Sequence, residues 1–112
     1  MKLENKKTGE ILVITPIDHR MDAYGAVDFK EKISSFINEG NKRLVLDLSE
    51  VDFIDSSGLG SIISALKMMG SNGNMVICSV KSTVMSMFKL TRMDKVFQIF
   101  NTKEQALTAL ST

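Results

Sequence analysis

Apolar positions along the chain fall into two alternating kinds of pattern. Ile11-Leu12-Val13-Ile14-Thr15 is a continuous, mostly β-branched run closed by Pro16, which reads as a strand that the proline ends or kinks. Leu44-Val45-Leu46-Asp47-Leu48 and Met75-Val76-Ile77-Cys78 are runs of the same kind, apolar on both faces as strands of a helix-covered parallel sheet are. Between them, apolar residues recur at spacings of three and four. Ala26, Phe29, Ile33 and Phe36/Ile37 follow Asp22 as N-cap and stop at Gly40, which predicts one amphipathic helix. Ile62, Ile63, Leu66 and Met69 predict a second.

A third helix is expected from about Ser82 to Leu90, with Val84, Met87, Phe88 and Leu90 turned inward. Val96 to Phe100 reads as a last strand. Thr102 and Gln105 form a capping box in front of Ala106, Leu107 and Leu110. At the other end, Lys2 to Lys6 fits a short, charged edge strand followed by a turn at Lys7-Thr8-Gly9, and Asp18 to Met21 reads as a polar loop. The order β-β-α-β-α-β-α-β-α predicts an α/β fold. It has a mostly parallel or mixed central sheet of about four to five strands, flanked by about four helices with right-handed crossovers.

Length and charge narrow the function classes. At 112 residues the chain fits one domain, 1–112, and can bury roughly two thirds of its unfolded surface without staples. Fourteen basic and thirteen acidic residues leave a net charge of +1, and Lys42-Arg43 and Lys81 are scattered, so no nucleic-acid partner is expected. No apolar run approaches the ~20 residues that span a bilayer and no leader pattern opens the chain. The expectation is a cytoplasmic protein, not inserted in a membrane.

The single cysteine, Cys78, can form no internal disulfide, and no Cys/His cluster offers a metal site. His19 is the only histidine, so base-assisted nucleophilic chemistry has little to work with. No Gly-x-Ser-x-Gly elbow is present, and no phosphate-binding loop pattern. No catalytic residue and no cofactor is expected. Cys78 reads as inert core, and His19 as a solvated loop residue. Among the methionines, Met68 and Met85 are expected at the surface and the others as core or cover.

One segment is not explained by core building. Asp55-Ser56-Ser57-Gly58-Leu59-Gly60 places an acidic N-cap, two serines and two glycines at the start of a helix, although each interior glycine costs about 0.8–1 kcal/mol against alanine. Two readings fit equally. Small residues let a helix and a sheet approach closely. Alternatively, the unpaired N–H groups and partial positive charge of the helix start suit a phosphate, carried on Ser56 or Ser57 or brought by a bound nucleotide.

These six residues resemble the phosphorylation motif of the STAS domain family, specifically that of the bacterial anti-sigma factor antagonists. Leu44 to Asp52 resembles the strand and acidic turn before that motif. Asp22-Ala23-Tyr24 resembles the family's helix start, and Leu90 to Phe97 its third-helix exit. The resemblance implies a protein-interaction switch and not an enzyme. The dephosphorylated form would bind an anti-sigma factor that is also a GHKL-type serine kinase, freeing a sigma factor. Phosphorylation of Ser56 (Ser57 as second choice) would end that binding, and a PP2C-type phosphatase would restore it. By position, the implied docking surface is Asp22, Tyr24, Asp55, Ser56, Ser57, Gly58, Leu59 and Gly60, with Gly58 and Gly60 permitting close approach. His19-Arg20 departs from an acidic residue common in the family there and would alter partner complementarity. The alternative is a STAS scaffold or regulatory subunit that is never phosphorylated. The free protein is expected to be a monomer, its edge strand being short and charged.

Overall fold

Gly9 turns the chain at φ +61°, a left-handed conformation that glycine adopts without strain. The turn folds β1 (Leu3–Thr8) back on β2 (Ile11–Pro16), antiparallel from Leu3↔Pro16 to Thr8↔Ile11. In the computed structural model, which describes residues 1–111, β2 then pairs in parallel with β4 (Arg43–Asp47), β4 with β6 (Asn74–Cys78) and β6 with β7 (Ile99–Phe100). The result is a mixed five-stranded sheet of order β1-β2-β4-β6-β7. Four helices accompany it: α1 (Ala23–Asn38), α2 (Ser56–Met69), α3 (Ser82–Leu90) and α4 (Lys103–Leu110). The predicted α/β architecture is the one observed.

Alternation along the strands divides the core in two. Leu12, Ile14, Leu44, Leu46, Met75 and Ile77 point to one face, where Phe29 and Ile33 of α1, Ile62 and Ala65 of α2, and Val84 and Phe88 of α3 cover them. Ile11, Val13, Val45, Val76 and Cys78 point to the other, covered by Ala106 and Leu110 of α4. Strands buried on both faces explain the uninterrupted apolar runs.

The structure departs from the expectations at four places. Residues 18–21 are not wholly loop: β3 (Arg20–Met21) pairs in parallel with β5 (Phe53–Ile54) as a separate two-stranded sheet, and Met21 is fully buried. The last strand is only Ile99–Phe100. Arg92 ends α3 in a left-handed conformation, and a 3-10 turn at Met93–Lys95 delays entry into the sheet. Phe97 turns inward, edge-to-face on Phe88 with centroids 6.0 Å apart. Leu90 is 81% exposed and not inward, because it lies two residues, about 200° of helix, beyond the buried Phe88. Met85 is half-buried against the core, whereas Met68 is exposed as expected.

Candidate functional site

Two helices start side by side from the β3/β5 ribbon. Asp22 follows Met21 and caps α1: its backbone is extended, and its carboxylate accepts the Tyr24 N–H at 3.1 Å. Asp55 follows Ile54 and caps α2, accepting the Gly58 N–H at 2.9 Å. The two caps are tied together, since the Asp55 N–H donates to the Met21 carbonyl at 3.2 Å. The ribbon thus sets the relative position of both helix starts, which the sequence had linked only by resemblance.

Ser56 and Ser57 lie exposed in the first turn of α2, and Tyr24 is 97% exposed at the start of α1. Asp22 and Asp55 are half-buried, as their capping bonds require. The two glycines have different neighbours. A methyl group at Gly58 would overlap the Met21 carbonyl oxygen and lie 2.9 Å from Ile54 Cγ1, so Gly58 lets α2 press against the ribbon inside the molecule. At Gly60 the same methyl meets nothing within 4 Å. Leu59 packs in the core and offers no side chain to a partner. Of the two readings of this segment, close internal packing therefore accounts for Gly58 and leaves Gly60 without an internal reason.

Several neighbours were not singled out by the sequence. Arg20 stacks on the exposed Phe53 ring, its guanidinium carbon 4.2 Å from the centroid, and its Nε lies 3.4 Å from Asp22 Oδ2. Asp52 joins three segments. Its carboxylate pairs with Lys81 at the start of α3 and lies 3.2 Å from His19 Nδ1, while its carbonyl accepts the Thr83 hydroxyl at 2.9 Å. The hydrogen bond from Lys81 holds the Asp52 carboxyl below its ordinary range, and the charges of Lys81 and His19 add to the effect. The usable signal was strand alternation: with Ile54 inward and Asp55 capping, Phe53 must face out, beside whatever pairs with it.

His19 also lies 3.1 Å from the Glu50 carbonyl, so this exposed side chain is tethered and not simply solvated. Burial pushes the Cys78 thiol up to about 11, leaving it protonated and poorly nucleophilic near neutrality. Among the described residues no group of three or more His, Cys, Asp or Glu side chains could hold a metal ion. The site presents an accessible hydroxyl on a rigidly anchored helix start, where a phosphate would be favoured by the local N–H groups and dipole.

Residues 2–106 match the family model described as the STAS domain. This chain belongs to the STAS domain family. BtrV of Bordetella bronchiseptica, a candidate anti-sigma factor antagonist, is 26% identical over 100% of this chain and 97% of its own. The anti-sigma-F factor antagonist RsfB of Mycobacterium tuberculosis is 26% identical over 88% of this chain and 81% of its own. The crystal structure of a candidate anti-sigma factor antagonist from Thermotoga maritima superposes with a TM-score of 0.91 at 26% identity, covering 98% of this STAS chain and 95% of the other.

Proposed function

We propose that this STAS domain, taken as one unit over residues 1–112, is an anti-sigma factor antagonist that works by reversible docking and not by catalysis. Its dephosphorylated form binds an anti-sigma factor that is itself a GHKL-type serine kinase, and so frees a sigma factor. The single observation that carries this reading is the exposed Ser56 hydroxyl, directly after the Asp55 cap, on a helix start anchored by Gly58 to the β3/β5 ribbon. Similarity to proteins named as antagonists, over most of this chain and of theirs, supports it.

The docking surface in this reading is the α2 start with Asp22 and Tyr24. Asp55, Ser56, Ser57 and the open backbone at Gly60 contribute contact, whereas Gly58 and Leu59 act from inside by holding the turn in place. Transfer of a phosphoryl group to Ser56 Oγ replaces the hydroxyl proton by a group of charge about −1.5 to −2. At a packed interface an unpaired charge costs several kcal/mol, so docking is lost without refolding. A PP2C-type phosphatase resets the switch. The protein acts as a monomer in the cytoplasm, without cofactor, nucleic acid or membrane insertion; among the described residues no helix is long and apolar enough to cross a membrane.

The test is intact mass and phosphosite mapping on protein from its own cells under phosphatase inhibition, with Ser56→Ala and Ser57→Ala beside it. One phosphate that disappears only in Ser56→Ala is expected, and Ser56→Ala should retain an anti-sigma kinase that Ser56→Glu releases. No phosphate under any growth condition would overturn the switch and leave an unmodified scaffold or subunit.

A further inference from the structure

We infer that Arg20 is an internal receptor for a phosphate on Ser56, so that phosphorylation rearranges the docking surface as well as adding charge to it. The inference rests on Ser56 as the modified residue. Arg20 lies opposite Phe53 in the β3/β5 register, and Phe53 precedes Ser56 by three residues. The strand carrying Arg20 is fastened to the cap of α2, because the Met21 carbonyl accepts the Asp55 N–H at 3.2 Å. Phe53 supports the guanidinium from below at 4.2 Å. Stacking of this kind holds an arginine fork in place while leaving its edge donors free.

The guanidinium is only loosely engaged. Its Nε reaches Asp22 Oδ2 at 3.4 Å, the long limit of a hydrogen bond, and its two terminal nitrogens have no acceptor among the described residues. Asp22 has a second role that does not need Arg20, since its other oxygen caps α1 through the Tyr24 N–H. Two other cationic side chains beside the ribbon are engaged elsewhere: Lys81 pairs with Asp52, and His19 lies against Asp52 and the Glu50 carbonyl. Arg20 is therefore a cation at the ribbon that a new anion can recruit.

A phosphoserine dianion offers three oxygens to a planar fork and draws it more strongly than one distant carboxylate. Arg20 swings from Asp22 to the phosphate. Phosphorylation then changes three groups at once: Ser56 gains bulk, Arg20 is withdrawn, and Asp22 is left without its counterion. A partner matched to the dephosphorylated surface meets a different charge pattern even where it does not touch Ser56.

The experiment is a phosphorus-31 NMR titration of the full chain with phosphoserine installed at position 56 during synthesis, in wild type, Arg20→Gln and Lys81→Gln. Paired with Arg20, the phosphate favours its dianion. Arg20→Gln should therefore raise its second pKa by roughly half a pH unit, a modest shift because the pair is exposed. Lys81→Gln should leave it unchanged, and the Arg20 Nε–H resonance should move when phosphoserine replaces serine. An unchanged phosphate pKa in Arg20→Gln, or an equal rise in Lys81→Gln, would overturn the inference. Because the phosphate is installed directly, this result is independent of whether a kinase uses Ser56. Failure to bind an anti-sigma factor leaves the Arg20 contact standing, and a flat titration leaves the antagonist reading standing.

Discussion

Gly58 and Gly60 sit two residues apart in one helix and are held to opposite requirements. Alanine at either position regains about 0.8–1 kcal/mol of helix propensity. At Gly58 that gain is offset by a collision with the Met21 carbonyl, a backbone group that can move only by shifting β3, and overpacking of this kind costs about 1–3 kcal/mol. At Gly60 there is open space. Urea unfolding should show Gly58→Ala destabilised, by up to about 2 kcal/mol, and Gly60→Ala stabilised by up to about 1 kcal/mol. Equal effects of the same sign would refute the contrast. If the antagonist reading holds, Gly60→Ala also weakens docking while stabilising the free protein. Both glycines looked alike in the sequence, because the carbonyl that distinguishes them comes from a residue 37 positions away (58 − 21).

Among the elements, the β3/β5 ribbon has the largest role for its size. Two residues on each side position two helix starts, and Asp52 extends the junction to α3 through Lys81 and Thr83. The Asp52 carboxyl is held low chiefly by the Lys81 hydrogen bond. Its folded-state value lies below the unfolded one of 3.8, so the unfolded chain binds a proton first as pH falls. The contribution is present above the ordinary carboxylate range and is lost as pH drops through it. Stability measured from pH 7 to pH 2 should therefore fall less steeply below about pH 4 in Asp52→Asn than in wild type. Parallel curves would show that the pair contributes nothing, as many exposed pairs do. The helices, the three central strands and the two aspartate caps were legible from periodicity and capping chemistry. The ribbon was not, since two residues show no period, and the predicted last strand ran too long because Val96 and Phe97 carry strand-like side chains while lying in the bend that follows the 3-10 turn.

Across the whole molecule, the two faces of the sheet are unequally protected. Three helices cover one face; the other depends on α4, whose eight residues bury Ala106 and Leu110 over Ile11, Val13, Val45, Val76 and Cys78. Leu110→Ala should cost about 2–4 kcal/mol, as buried leucine truncations do. In hydrogen exchange it should loosen α4 and the outer strands before α1 and α2. A loss below about 0.5 kcal/mol would show that α4 is not the clamp of that face. The expected membership of Ala106 and Leu110 in the core was readable from the capping box and the spacing behind it, because those signals act within one or two turns of chain. The same holds for the element order, the α/β class and the small-residue turn at Asp55–Gly60. Only the tertiary structure decided that Gly58 meets Met21 and that Arg20 rests on Phe53. Each of those depends on which distant segment lies alongside, and a contact between segments leaves no periodic trace in either one.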